Sequence, residues 1–270
     1  MSGPLWPPET LLAMIRAADL LMRRSERNPG LFWTRRVNRR LGAIITLFLL
    51  RTSTTPNVVS IAGFTAHLAG ASFVIIAPVS PSIPLVIAVF LLWQLAFSLD
   101  CADGQLARAR DMASPFGAWL DQILDFLGHT AVFGSLLLFA VRTFQPTASE
   151  TAVLGTFLVS GNLLGLFASA QRNALLGTKP AVDPQSSRTY RFLVLGRHLT
   201  DYGASLALSS LGLVWPPLLL VALVLGPAIV AMSVAAQVAI NWPREGAPKA
   251  SRRDTTTSPR TRPGTRDADE

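Results

Sequence analysis

Residues 98–129 read SLDCADGQLARARDMASPFGAWLDQILDFLGH and carry five aspartates, four of which form two regularly spaced pairs. Asp100 and Asp103 are three residues apart and Asp121 and Asp125 are four apart, so each pair shares one face of a helix. A short turn is predicted between the two pairs, near Ala113 to Pro115. We therefore expect two antiparallel neighbouring helices whose carboxylate pairs face each other at one membrane depth.

The sequence around these aspartates is strongly apolar. Half of the 270 residues are hydrophobic and only 15% are charged, where a soluble domain has about a quarter. The mean hydropathy is +0.40. Six apolar segments are candidates for membrane spans: Val58–Pro78, Ile83–Asp100, Phe116–Val141, Thr151–Ala170, His198–Val214 (the weakest) and Pro217–Ile240. The predicted fold is an all-α polytopic membrane protein with six transmembrane helices.

The basic residues predict the orientation of these spans. All of the 24 Lys and Arg residues except Arg142 lie before the first segment, in alternate connections, or after the sixth. By the positive-inside rule both termini are cytoplasmic, and the aspartates lie on the cytoplasmic side of the cell (inner) membrane. The net charge of +8 follows this pattern rather than a basic stripe interleaved with aromatic residues, so we expect no nucleic-acid binding.

The regions that flank the spans differ in character. The segment Leu11–Arg24 reads as an N-terminal amphipathic juxtamembrane helix, which either lies on the membrane surface or packs against its own protein. No secretory signal is expected there. We divide the chain into a cytoplasmic N-terminal region (1–54), a six-helix membrane domain (55–242) and a disordered basic tail (243–270). The single cysteine, Cys101, excludes an intrachain disulfide.

Four carboxylates among apolar residues are costly unless cations compensate their charge. Mg²⁺ and Mn²⁺ prefer oxygen ligands, and a pair of such ions can bind a pyrophosphate. Gly104 and Gly117 leave space for a nucleotide, and Arg108 can meet a phosphate. The alternative is that each aspartate caps a helix or forms a surface ion pair, which suits a single residue better than two helical pairs.

This stretch resembles the CDP-alcohol phosphatidyltransferase family, whose signature is D-x-x-D-G-x-x-A-R, eight residues, then G-x-x-x-D-x-x-x-D. All of its positions are matched, by Asp100, Asp103, Gly104, Ala107, Arg108, Gly117, Asp121 and Asp125. The segment from Thr55 to Ser60, TPNVVS, is similar to the family's T-P-N-x-V-T, and the resemblance covers Arg35–Ile240. Phe126 departs from the Arg that many members have there, which bears on the substrate subclass.

The resemblance implies a phospholipid-synthesising enzyme that transfers a phosphoalcohol, with phosphatidyl from CDP-diacylglycerol as the leading case, to a small polar alcohol and releases CMP. It implies two divalent metal ions, Mg²⁺ or Mn²⁺, held by Asp100, Asp103, Asp121 and Asp125, with Asp125 also the general base. The implied CDP site consists of Gly104, Ala107, Arg108, Gly117 and Asn57, with Ser60 at its wall. Acceptor-binding residues are not assigned. Homodimers are common in families of this kind.

Other functions remain open at this point. With CDP-diacylglycerol as donor, the acceptor can be glycerol 3-phosphate, another small polar alcohol, or an inositol phosphate, since Trp33–Leu41 is similar to the family branch that uses one. A second alternative is a soluble CDP-alcohol as donor, with a lipid or polar acceptor. A cation transporter or a non-catalytic scaffold is a further alternative, but transport places ionisable residues along a path through several spans.

Weaker signals have two interpretations each. His129 either orients Asp125 or is an interhelical donor, and His67 and Cys101 are expected to pack. Asp201 either pairs with Arg197 or lines an acceptor pocket. The loop arginines either bind an acceptor phosphate or only determine topology: Arg172, Arg188 and Arg191.

Overall fold

The structure is a computed structural model that describes residues 11–25, 32–176 and 201–241, and regular structure within these ranges is helical. The α-helices are α1 (Leu11–Ser25), α2 (Arg39–Leu49), α3 (Pro56–Ile76), α4 (Ile83–Ala109), α5 (Pro115–Phe144), α6 (Ala148–Leu176), α7 (Tyr202–Gly212) and α8 (Pro216–Asn241). A π-helical segment, Thr34–Asn38, leads directly into α2. The all-α prediction is confirmed for the described residues.

The helices follow the predicted spans closely because their starts are encoded locally. A proline lies in the first turn of α3, α4 and α5, where its missing N–H costs nothing. The Ser114 hydroxyl accepts the Gly117 N–H at 3.0 Å and caps α5. In the described part of the chain, α3, α4 and α5 are long and apolar enough to cross a membrane. The count of six spans stays a prediction.

The outer surface of the helix bundle is apolar. Ile87, Leu91 and Leu95, one turn apart on α4, are 46–58% exposed, whereas Gln94 and Ser98 on the same helix are buried. Water-soluble proteins show the opposite distribution, with large apolar patches kept off the surface. Together with the three long helices, this surface identifies an integral membrane protein.

An apolar core fills the end of the bundle that is remote from the aspartates. It comprises buried side chains of the helices from α3 to α8, among them the fully buried Trp93, Leu136, Phe139, Leu206 and Leu219. Trp93 lies in the first half of α4, and Leu136 and Phe139 lie in the second half of α5, whereas the aspartates lie in the opposite halves of these helices. The apolar core and the aspartates therefore lie at opposite ends of the helix bundle.

The helices that carry the aspartates are not direct neighbours. Helix α3 packs along both α4 and α5, while α4 and α5 make few close backbone contacts with each other. The expectation that the short turn makes them adjacent is wrong in this respect, because α3 occupies the position between them. The aspartate side chains consequently meet across a space between two separated backbones.

A helix that the sequence did not predict runs along α4. The π-helical segment and α2 contact α4 through polar and small residues: a Cβ on Gly42 would stand 2.9 Å from an α4 carbonyl oxygen. The Asn38 amide donates to Gln94 Oε1 at 3.0 Å, and the Thr46 hydroxyl donates to the Ala102 carbonyl at 3.2 Å. Because Asn38, Gln94 and Thr46 are buried, these bonds fix how α2 and α4 face each other.

Asp201 anchors the beginning of this helix. Its carboxylate accepts the N–H groups of Trp33 and Thr34 at 2.7 and 3.0 Å and the Thr34 hydroxyl at 2.5 Å, and only 2% of the residue is exposed. The expected partner Arg197 lies outside the described residues. The start of α7 is thereby fastened to the start of the helix that leads into α2.

Several other expectations concern parts that the structure does not describe. Arg188, Arg191 and the tail from Pro243 onward lie outside the described residues, as does the side chain of Arg172.

Helix α1 packs on its own protein. Its residues Ala17, Ala18, Leu21 and Met22 form an apolar cluster with Ala43 and Leu47 of α2. Ile15 and Leu20 stay exposed, at 46% and 47%. The structure thus shows the internal packing that was one of the two alternatives, and a contact between α1 and the membrane surface stays a prediction.

We expect Asp201→Asn to lower the free energy of unfolding by about 2–3 kcal/mol, because an amide directs a donor at the N–H groups that the carboxylate accepts. Thermal unfolding in detergent measures the change. Asp19→Asn is the matched control: it breaks only the half-exposed 3.3 Å contact with Arg40, which is worth less than about 1 kcal/mol. Equal losses in the two variants would contradict the anchoring role of Asp201.

Candidate active site

The structure brings the four aspartates of the sequence motif together. Carboxylate oxygens of Asp100, Asp103 and Asp121 all lie within 4.8 Å of one another. The carboxyl group of Asp125 is in hydrogen-bond contact with that of Asp100. Two residues come from the end of α4 and two from the beginning of α5, so the site closes only when both helices are placed correctly.

The donor set fits a hard divalent cation. All the groups that approach are carboxylate oxygens, the ligands that Mg²⁺ and Mn²⁺ prefer. Asp103 is only 6% exposed, so its charge needs compensation by a nearby positive group. Within the described ranges this is the group of acidic, His or Cys side chains whose geometry could hold an ion.

Ser60 extends the cluster to α3. Its buried hydroxyl donates a hydrogen bond to Asp103, and it also lies 3.2 Å from the Pro56 carbonyl oxygen. Ser60 was expected at the wall of a nucleotide site, and its contact with Asp103 places it beside the carboxylates. A donor at this position orients one carboxylate oxygen and leaves the other available.

The residues expected to contact CDP surround the carboxylates. Asn57 of α3 faces Gly117 of α5: a Cβ on Gly117 would stand 3.4 Å from Asn57 Oδ1. The Arg108 guanidinium lies over Gly104, with Nη1 3.1 Å from the position of an added Cβ. Ala107 is half-buried beside them. Gly104 and Gly117 carry no side chain and Ala107 only a methyl group, so these positions add little bulk beside the carboxylates.

An aromatic and imidazole cluster closes the site toward the apolar core. The Tyr202 ring meets the edge of His129 at a centroid distance of 3.9 Å, and its hydroxyl lies 3.4 Å from His67 Nε2. Phe97 packs against the same ring at 5.0 Å. His129 is one turn beyond Asp125, and its ring contacts those of Tyr202 and Phe133, so its role as an orienting group or an interhelical donor stays a prediction.

Sequence reasoning missed some residues of this neighbourhood. Tyr202, Gln94 and Asn38 were not singled out, although polar side chains inside apolar segments are a signal that could have found them. Cys101 lies against Gly42 of α2, as expected for a small packing residue.

Comparison with known proteins agrees with the motif. A family model described as CDP-alcohol phosphatidyltransferase matches residues 53–179. The chain is 30% identical over 179 residues to a phosphatidylinositol phosphate synthase of Mycobacterium marinum, an alignment that covers 65% of this chain and 68% of that protein. It is 33% identical over 148 residues to a bifunctional IPC transferase and DIPP synthase of Rubrobacter xylanophilus, covering 55% of this chain and 31% of the relative.

A solved structure has the same fold. The phosphatidylinositol phosphate synthase of Mycobacterium tuberculosis with CDP-DAG bound superimposes with a TM-score of 0.51 and 23% identity. The match covers 77% of this chain and 96% of that one.

We expect Mn²⁺ to stabilise the protein in detergent, by about 2.7 kcal/mol at a concentration 100 times its dissociation constant. Asp103→Asn is expected to bind Mn²⁺ at least about tenfold more weakly, since it loses a charged ligand atom. A thermal-shift titration measures both effects.

The matched control for this titration is Asp111→Asn. Asp111 is exposed, lies outside the cluster and has a φ of 54°, which asparagine adopts readily. If Mn²⁺ stabilised both variants as well as the wild type, the carboxylate cluster would not be the metal site.

Proposed function

The chain belongs to the CDP-alcohol phosphatidyltransferase family, and on that premise we propose that it transfers phosphatidyl from CDP-diacylglycerol to a small polar alcohol and releases CMP. Membership makes it a transferase of substituted phosphate groups, of a family that uses divalent metals. The observation that carries the proposal is the approach of three aspartate side chains within 4.8 Å, with Asp125 beside them.

A lipid donor suits the position of the site. The carboxylates lie at the ends of two long apolar helices whose outer faces are exposed and apolar. Diacyl tails can therefore remain in the hydrocarbon while the CDP group reaches the aspartates. The name of the M. marinum relative, a phosphatidylinositol phosphate synthase, supports a phosphatidyl donor.

Each aspartate receives a role in this proposal. Asp100, Asp103 and Asp121, with Asp125 near them, would hold two divalent ions, Mg²⁺ or Mn²⁺. These ions would supply positive charge that stabilises the pyrophosphate and the leaving phosphate. Ser60 keeps Asp103 oriented through its hydroxyl.

Asp125 acts as the general base. Its carboxylate takes the proton of the acceptor hydroxyl, and the acceptor oxygen forms a bond to the phosphorus that carries diacylglycerol. The bond between this phosphorus and the CMP oxygen breaks, and CMP leaves with the electron pair. The contact between Asp125 and Asp100 keeps the base beside the other carboxylates.

The CDP group binds between α4 and α5. Gly104, Ala107 and Gly117 present little side chain, so the nucleotide can approach the helix backbones. Arg108 meets a phosphate, and Asn57 reaches the site from α3. The residues that bind the acceptor stay unassigned. An inositol phosphate is the first acceptor to test, because phosphatidyl transfer to it would give phosphatidylinositol phosphate, the product in the name of the M. marinum relative.

We also propose the topology that the sequence predicted. Six spans place both termini in the cytoplasm, with the active site on the cytoplasmic side of the inner membrane and the chain divided at residues 54 and 242. The long apolar helices α3, α4 and α5 and the one-sided distribution of Lys and Arg support it. Homodimer formation is a further expectation.

Purified protein with Mg²⁺ or Mn²⁺ is expected to release CMP from CDP-diacylglycerol in the presence of one acceptor from a panel of alcohols. Asp125→Asn should slow the release at least about 100-fold, because a general base contributes about that much. Glu150→Gln, which changes an exposed acid outside the site, should leave the rate unchanged.

If CMP were released from a soluble CDP-alcohol and not from CDP-diacylglycerol, the soluble compound would be the donor. Unchanged activity of Asp125→Asn would remove Asp125 from the reaction. Absence of release with every donor and acceptor would overturn the proposed function.

Cysteine labelling tests the topology, because Cys101 is the only native cysteine. In a Cys101→Ser background, Ser149→Cys should react with a membrane-impermeant maleimide added outside intact cells. Thr256→Cys should react only after permeabilisation. Labelling of both positions in intact cells would contradict an even number of spans with cytoplasmic ends.

A further inference from the structure

Arg110, at the end of α4, donates hydrogen bonds to three main-chain carbonyl groups. Its guanidinium donates to the carbonyl oxygens of Leu49, Thr52 and Thr54 at 2.7, 2.6 and 2.5 Å. All three belong to the end of α2 and the connection that leads into α3. One side chain of α4 therefore holds the whole connection between two other helices.

Arginine is suited to this position because its N–H donors have a fixed planar geometry. Leu49 is the last residue of α2, where carbonyls lack intrahelical partners and the helix dipole favours a cation. Three carbonyls converge on one guanidinium only if the connection folds around it. Arg110 thus determines the path of residues 49–54.

The backbone of Arg110 is itself fixed relative to the expected CDP site. It is the C-cap of α4, and Asp111 follows with a left-handed φ of 54°. The Met112 N–H then donates to the Ala107 carbonyl at 2.8 Å and closes the helix end. Arg110 is therefore tied to the turn that contains Ala107.

The connection that Arg110 holds ends at the first turns of α3. Asn57, which faces Gly117, and Ser60, which donates to Asp103, follow within six residues of Thr54. The Thr55 side chain makes no capping hydrogen bond, so the start of α3 depends on other contacts for its position.

We propose that Arg110 is a positioning residue that places the start of α3 for binding of the CDP group. It acts through Asn57 and Ser60 and does not touch the substrate. The inference rests on the proposed function, because it assumes that the space between α4 and α5 takes a cytidine diphosphate.

A matched control for Arg110 is the arginine that contacts the other end of α3. Arg142 donates to the carbonyls of Val74 and Ala77 at 2.9 and 3.1 Å, so it holds the end of α3 as Arg110 holds its beginning. The two ends of the 21-residue helix are about 30 Å apart. Lysine substitution at either arginine keeps the charge and removes the planar set of donors.

The test compares Arg110→Lys with Arg142→Lys in full-length protein in detergent. Arg110→Lys should raise the KM for CDP-diacylglycerol about tenfold and change kcat by less than about threefold, since it disturbs binding and leaves the reacting groups in place. Arg142→Lys should leave both constants unchanged. Hydrogen exchange should become faster at residues 50–60 in the first variant and at residues 74–79 in the second.

Two outcomes overturn the inference. Faster exchange at residues 50–60 with an unchanged KM would make Arg110 a structural residue only. An equal rise of KM in both variants would show a general loss of stability, and thermal unfolding of each variant reports this separately. If Arg110→Lys does not fold, Arg110→Gln takes its place in the same comparison.

The role of Arg110 can be tested even if the proposed transfer reaction is wrong. If the wild type releases no CMP from any donor, the transfer proposal fails, and calorimetric titration with CDP in the presence of Mn²⁺ decides the inference. About tenfold weaker CDP binding by Arg110→Lys supports it. Equal affinity, or no CDP binding by the wild type, overturns it.

Discussion

Four carboxylates on two helices must meet at one point while the helix backbones stay apart, and the rest of the structure depends on this constraint. Direct packing of α4 on α5 would fill the space that a substrate needs. Helix α3 prevents it by packing along both. The same helix reaches the carboxylates through Ser60 and the cluster beneath them through His67. The position of α3 along its axis and its rotation about that axis therefore determine the geometry of the site more directly than does the short turn that connects α4 to α5.

Hydrogen bonds supply the rotational specificity that apolar packing lacks in a membrane, where lipid tails are as apolar as leucine. On α4 they lie along the face toward α2, where Asn38 bonds Gln94 and the Gln105 amide donates to the Arg39 carbonyl at 3.2 Å. Asp201 binds the N–H end of the helix that contains α2 and Arg110 binds its carbonyl end. Both charges match the helix dipole. These contacts hold α4 with its other polar face, the aspartates, turned toward α5.

The sequence predicted the parts of the molecule that local chemistry determines. The helix bounds follow from apolar length, first-turn prolines and the Ser114 cap, and the aspartate cluster follows from spacing within each helix. The position of α3 between α4 and α5 could not be predicted, because spacing within one helix says nothing about which helix packs next to it. The bond from Trp33 to Asp201 joins residues 168 positions apart. A polar residue inside an apolar segment indicates that a partner exists, but not which residue it is.

The separation of apolar core and site explains how the fold tolerates a cluster of like charges. Trp93, Leu136 and Phe139 are fully buried in the halves of α4 and α5 that are remote from the carboxylates, where the apolar side chains pack closely. The carboxylates lie in the other halves of α4 and α5, beyond the layer formed by His67, Tyr202 and His129. Repulsion among the carboxylates therefore acts on the part of α4 and α5 that polar bonds to α2 and α3 restrain. A cation bound by the carboxylates would relieve that repulsion, so metal binding would also stabilise the halves of α4 and α5 that carry the aspartates.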